Sequence, residues 1–265
     1  AVSFSAISAG NAEICIGNLF GSNIANLSLI LGILSLIKTI KIGRRIYHRL
    51  LTALFLSSLI PLFLFSIAKL SFIVGLFLIL VFISSSLYTA KKKLVWKIPP
   101  LHKTLLEKLS KSFELYRSLF LLSASLFIVI ISSRFVVTSA ESVAKMLKVP
   151  YSLLGATLIA IGTSLPELSI CWLALKRKRF GLITGNLIGS CLTNLTLILG
   201  ITLFFSPFAI DFQIFSTLLV FAVAATIISW YFLLTGRKLS RNEGLMLLFF
   251  YIIFLISISG VQLIF

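Results

Sequence analysis

Three features of this 265-residue chain predict an all-α polytopic membrane protein of inverted-topology repeats: its apolar runs, the placing of its basic residues, and an internal repeat. Apolar residues make up 59% of the chain and mean hydropathy is +1.12, while 24 Lys and Arg face 7 Asp and Glu for a formal charge of +17. At about 20 apolar residues per span, eight stretches are long enough to cross a bilayer: 14–37, 51–68, 71–90, 118–138, 151–175, 182–206, 212–235 and 243–264. Residues 1–10 read as part of a ninth. This composition excludes a secreted disulfide scaffold and a disordered chain. The Lys and Arg lie in short clusters between the apolar runs, so membrane topology accounts for them and no nucleic-acid partner is expected. Cys15, Cys171 and Cys191 sit in or beside apolar segments without metal-ligand spacing and read as packing residues.

The chain opens at Ala1 inside an apolar stretch, with no Met, charged leader or cleavage site, and so reads as a fragment lacking its start. The connections set the orientation, because Lys and Arg near span ends stay on the cytoplasmic side. The connections 38–49, 91–117, 176–179 and 237–241 hold 20 basic residues, against Lys69, Arg134, Lys145 and Lys148 on the other side. That alternation puts the carboxyl terminus outside. It also divides the chain into a first half, 1–90, a basic cytoplasmic linker, 91–117, and a second half, 118–265. The linker carries Pro99-Pro100 and an amphipathic stretch with Leu105, Leu106, Leu109 and Phe113, read as an interfacial helix rather than a regulatory loop.

Self-comparison yields the strongest signal. Residues 17–33 (GNLFGSNIANLSLILGI) and 185–201 (GNLIGSCLTNLTLILGI) agree at 12 of 17 positions with a constant offset of 168. The turn before the first copy, Ala9 to Glu13, has no Lys or Arg, whereas the turn before the second holds Lys176 to Arg179. The copies are therefore expected to cross the membrane in opposite directions, a hallmark of secondary transporters that bind substrate near the midplane. Asn18, Ser22 and Asn26, spaced by four, drift only ~80° at ~100° per residue and form one stripe. Asn186, Ser190 and Asn194 repeat it. Gly17 with Gly21, and Gly185 with Gly189, are small-xxx-small pairs suited to close helix approach. A single stripe would suit helix packing; two in an inverted repeat suit an ion pathway.

Before the second stripe stands Gly162-Thr163-Ser164-Leu165-Pro166-Glu167. Pro166 has no N–H and clashes with the carbonyl four residues back, so a helix break is expected here, freeing carbonyl oxygens beside the Thr163 and Ser164 hydroxyls. Glu167 is the acidic residue set deep in a span, where a carboxylate is costly enough to imply function. Carboxylate, hydroxyl, carbonyl and the amide oxygens of Asn26 and Asn194 form a ligand set for hard cations such as Na⁺ and Ca²⁺.

At these residues the sequence resembles the calcium/cation antiporter superfamily, which includes the sodium/calcium exchangers. The resemblance rests on GTSLPEL at 162–168, GN-x-x-GS at 185–190 with Asn194, and GNLFGSNIAN at 17–26, and it runs through the whole chain. It implies a ten-helix parent in two inverted halves, with Thr163, Ser164, Glu167, Ser190 and Asn194 as ion ligands from the second half and Ser22 and Asn26 from the first. It also implies that the first helix of each half slides as a gate; the second gate copy is 118–138. By the offset, the partner of Glu167 would stand two positions before Ala1. The chain departs from the family pattern at Asn194, where some exchangers carry Asp, and at Cys191, which matches Asn23 in the other copy.

The expected function is Ca²⁺ export in exchange for Na⁺ by alternating access in a bacterial or archaeal cell (inner) membrane. The partners are Ca²⁺, Na⁺ and the lipid bilayer. The alternatives are proton-coupled cation antiport with Glu167 as proton carrier, a passive cation channel, and a non-transporting membrane scaffold. His48 and His102 lie in basic loops and are not expected relays. No nucleophile with a base, metal cluster or phosphate loop points to an enzyme, and no cofactor is expected.

Overall fold

The computed structural model describes residues 1–43, 52–55, 59–60, 63, 72–91, 112–205 and 212–263. Among them, six helices are long and apolar enough to cross a membrane, and Phe72–Leu87 is a shorter apolar one. The expected span 51–68, the interfacial stretch around Leu105 to Leu109, His48 and His102 lie mostly or wholly outside the described residues.

Helix α1 (Val2–Ser8) ends where Gly10 takes φ +79°. The Gly10 N–H bonds the Ile7 carbonyl and the Asn11 N–H that of Ala6, a Schellman ending that satisfies carbonyls at the helix terminus. Helix α2 (Ala12–Ile37) follows, then α3 (Phe72–Lys91), α4 (Ser112–Leu147), α5 (Tyr151–Lys176), α6 (Phe180–Phe205), α7 (Phe212–Gly236) and α8 (Arg241–Leu263). Pro150 starts α5 with φ −61° and ψ 145°, extended values that a helix entry tolerates. Ser240 and Glu243 cap α8 reciprocally: the Ser240 N–H donates to Glu243 Oε2 at 2.6 Å, and the Glu243 N–H to Ser240 Oγ at 3.4 Å.

Among the described residues the architecture departs from all-α at one place. β1 (Ile40–Lys41) pairs antiparallel with β2 (Lys238–Leu239), Ile40 opposite Leu239. Two extended connections meet there, and the ladder satisfies their backbone groups. Lys38, Lys41, Lys178 and Arg241 gather around one open pocket beside it, so three of the basic connections lie at the same end of the molecule.

Structural equivalence extends beyond the 17-residue match. α2 and α6 each have 26 residues, and their bounds are offset by 168 at both ends. The Gly10 turn recurs at Lys178 (φ 56°), 168 residues on, where Lys178 N–H bonds the Leu175 carbonyl and Arg179 N–H that of Ala174. Packing is exchanged between the halves. A Cβ on Gly75 of α3 would stand 2.7 Å from the Gly200 carbonyl of α6, and one on Gly244 of α8 would stand 3.0 Å from the Gly32 carbonyl of α2. Only glycine permits backbones so close, and such approach substitutes for the hydrophobic drive that helices lack in lipid.

The core sits around α2. Phe20, Ile14, Leu19 and Ile24 are fully buried with Leu203, Leu218 and Phe254, and the Phe20 and Phe215 rings meet edge-on at 5.6 Å. By contrast α4 buries one stripe, Ser133, Val137, Ala140 and Ala144, and most of its other described side chains are exposed. Ser5 Oγ bonds Ser133 Oγ at 2.6 Å, and Asn11 Nδ2 donates to Glu141.

Candidate functional site

The residues of the two stripes and of the Glu167 segment come from α2, α5 and α6. In α2 the helix switches to π-helical winding over Ala25–Ile30, and in α6 over Asn194–Ile198. Each segment includes the last Asn of its stripe, Asn26 or Asn194. A π turn widens the ladder by one residue and is frequent at functional sites. A third lies in α5 at Gly155–Ile159. This corrects the expectation at Pro166. The chain stays α-helical from Ala160 through Pro166 to Lys176, and the irregular turn lies upstream. Pro166 withholds one N–H, from the Gly162 carbonyl, and the rest of the ladder carries the helix past it.

Glu167, Thr163, Ser164, Ser190, Asn194, Ser22 and Asn26 all line one cavity of about 230 Å³, together with Asn18, Ser3 and apolar Leu19 and Ile198. Glu167 is its acidic member. Ser190 Oγ donates to Glu167 Oε1 at 3.2 Å, leaving Oε2 buried without a partner. Asn26 Oδ1 and Ser164 Oγ are likewise buried and unpartnered, at residues 1% and 3% exposed. So three buried, unpartnered oxygens belong to residues that line the same space. Two further such atoms among the described residues, Ser152 Oγ and Tyr251 Oη, belong to residues that do not line it. An unpartnered buried oxygen costs about 1–3 kcal/mol, so this clustering fits a cationic occupant that such oxygens would coordinate. Among the described residues no group of three His, Cys, Asp or Glu is placed to hold a metal.

Sequence reasoning put Asn18 in the stripe without a role. Here Thr163 Oγ1 reaches Asn18 Oδ1 at 2.8 Å, and Asn18 Nδ2 donates to Ser3 Oγ at 3.1 Å. A donated Thr163 proton leaves the hydroxyl lone pairs for the cavity. Asn23 was missed as a participant. Its Nδ2 donates to the Cys191 carbonyl at 3.2 Å, and Cys191 Sγ donates to the Asn23 carbonyl at 3.8 Å. These residues are 168 apart, so each bonds the backbone of its own counterpart. Their shared place in the repeat was the available signal. Gly17 and Gly21 pack as the small-residue spacing predicts: a Cβ on Gly17 would stand 2.4 Å from the Ser152 carbonyl oxygen, and one on Gly21 2.4 Å from that of Ala156. Gly185 and Gly189 do not, for nothing lies within 4 Å of a Cβ added at either. Among the described residues no neighbouring helix reaches them.

Fold and site together define a helical integral membrane protein whose repeated segments meet around a partly open cavity of mixed polar and apolar lining. The chain belongs to the sodium/calcium exchanger protein family, whose model matches residues 1–91 and 117–260. It is similar to the sodium/calcium exchanger MaX1 of Methanosarcina acetivorans, at 34% identity over 151 residues. That match covers 57% of this chain and 42% of MaX1's length. It is similar to the putative antiporter CaxA of Alkalimonas amylolytica, at 29% identity over 95% of this chain and 80% of that protein. Among solved structures, the sodium-calcium exchanger NCX_Mj soaked with Na⁺ and Sr²⁺ superposes with a TM-score of 0.65 and 25% identity, covering 95% of this chain and 79% of that one.

Proposed function

We propose that this protein is a secondary active transporter that exchanges Ca²⁺ for Na⁺ through the α2–α5–α6 cavity. The observation that carries the reading is the convergence of Asn26 Oδ1, Ser164 Oγ and Glu167 Oε2, buried and unpartnered, on residues lining one space. Glu167 supplies the charge, while Thr163, Ser190, Asn194 and Ser22 add neutral oxygens. Such a mixed set suits Na⁺ and Ca²⁺, which take oxygen ligands in flexible geometry. The exchangers among its relatives support the same cations.

The copies are inverted in this reading, with the carboxyl terminus outside. The reciprocal Asn23–Cys191 bonds and the exchanged packing of α3 on α6 and α8 on α2 support a two-fold relation. The common end shared by Lys38, Lys178 and Arg241 supports a cytoplasmic face there. Helix α4 slides as a gate: its contact stripe is of small side chains, which leaves a low barrier to shear.

Reconstituted vesicles test the reading. Ca²⁺ uptake is measured under a Na⁺ gradient with pH clamped, then under a pH gradient with Na⁺ clamped. Uptake driven by Na⁺ and lost in Glu167→Gln is the expected result. Uptake driven by the pH gradient alone replaces Na⁺ coupling by proton coupling at Glu167, and gradient-independent leakage indicates a channel.

A further inference from the structure

The hydrogen bonds at the junction of the two copies have a polarity that can be read from their ends. Asn194 Nδ2 sits 2.9 Å from Asn23 Oδ1 and 3.1 Å from Ser22 Oγ. Which end of an Asn amide is nitrogen must be argued from its neighbours, and here two chains of bonds argue it independently. A backbone carbonyl can only accept. The Cys191 carbonyl therefore requires Asn23 to turn its Nδ2 that way, which points Asn23 Oδ1 at Asn194 and demands a donor from it. On the other side Ser22 Oγ, 3.1 Å from the Leu19 carbonyl, spends its proton there and offers Asn194 a lone pair. Both chains call for the nitrogen of Asn194, and the remaining atom of its amide is the oxygen.

We infer that Asn23 is a positioning residue: anchored on the Cys191 carbonyl, it holds the Asn194 amide so that Oδ1, not Nδ2, is presented to the cation cavity. Asn23 is 3% exposed and does not line the cavity, so it acts through Asn194. With Asn23 gone, one of the two requirements on the amide is lost, and rotation by 180° would aim an N–H₂ group at a cation. The inference deepens the transport reading and rests on it.

A double-mutant cycle separates this role from ordinary packing. A carboxylate at position 194 has two equivalent oxygens and no wrong way round. Wild type, Asn23→Ala, Asn194→Asp and the double variant are compared for apparent affinity in Ca²⁺ uptake by vesicles, with folding checked by thermal unfolding in detergent. Asn23→Ala is expected to weaken apparent affinity about tenfold when residue 194 is Asn. It should do so less than about threefold when residue 194 is Asp. If Asn23→Ala does not fold, Asn23→Leu is read through the same cycle, since it fills similar space with no polar group and so dictates no polarity to Asn194. Equal losses in the two backgrounds overturn the positioning role while leaving the transport reading intact. A wild type that moves no Ca²⁺ under either gradient sinks the transport reading and takes this inference with it.

Discussion

The two copies of the repeated segment share their helix bounds, the turn before them and a π turn at the last Asn of the stripe, yet they sit in different surroundings. Of the most apolar window of α2, 78% is buried, against 50% in α6. Asn18, Ser22 and Asn26 are buried, whereas Asn186, Ser190 and Asn194 are half-buried. Gly17 and Gly21 are pressed against the backbone of α5, and Gly185 and Gly189 face open space. Both copies therefore keep the same local winding in different surroundings. Whether a small residue serves as a packing surface depends on what the rest of the chain brings to it.

The largest effect tests whether the copies are inverted at all. Cysteines at Ala9 and Arg177 occupy equivalent positions beside the two Schellman turns. A membrane-impermeant thiol reagent applied from outside should label Ala9→Cys and leave Arg177→Cys unmodified, an all-or-none difference. Labelling of both from one side would end the comparison.

Next in size is the contrast between glycines. A Cβ on Gly21 would lie 2.4 Å from the Ala156 carbonyl oxygen and 2.5 Å from its Cα, so Gly21→Ala must push two backbones apart. A loss of about 3 kcal/mol is expected, read as a lower unfolding temperature in detergent. Gly189→Ala meets nothing within 4 Å and should be neutral or gain about 0.5–1 kcal/mol from helix propensity. Equal losses would mean that a further element packs on the second copy.

The asparagines at the π turns give a smaller difference. Asn194→Ala leaves Asn23 Oδ1 and Ser22 Oγ without their donor, while the oxygen lost in Asn26→Ala has no partner to strand. Both should weaken cation affinity, but Asn194→Ala should cost about 1–2 kcal/mol more stability. Calorimetric unfolding of the two variants checks it.

Smallest is the start of each copy. No side-chain bond caps either start, at Asn11 or at Arg179, but Asn11 ahead of α2 is also tied to Glu141 of α4. Glu141→Ala should lose about 1 kcal/mol, seen as faster backbone hydrogen exchange in the first turn of α2. The first turn of α6 should not change. Unchanged exchange in both turns would make the Asn11–Glu141 tie energetically idle.

Much of the candidate site's lining was legible because binding a hard cation would restrict residue type. A carboxylate, hydroxyls and amides spaced by four within apolar spans are too costly to be accidental, and the 168-residue offset marked both sets. Composition and the length of the apolar runs likewise determined a polytopic helical membrane protein. Tertiary structure alone decided the rest. A π turn inserts one residue into the ladder without changing residue type, so Ala25–Ile30 and Asn194–Ile198 leave no trace in an apolar pattern of period 3.6. Pro166 signalled a break, but it removes one hydrogen bond from a helix held by many, and α5 runs through it. The polarity of the Asn194 amide is set by two carbonyls, Leu19 and Cys191, that lie in different copies. The Leu19 bond is local to α2, but the Cys191 carbonyl meets Asn23 at 3.2 Å across the two copies, and that approach is decided only when they pack.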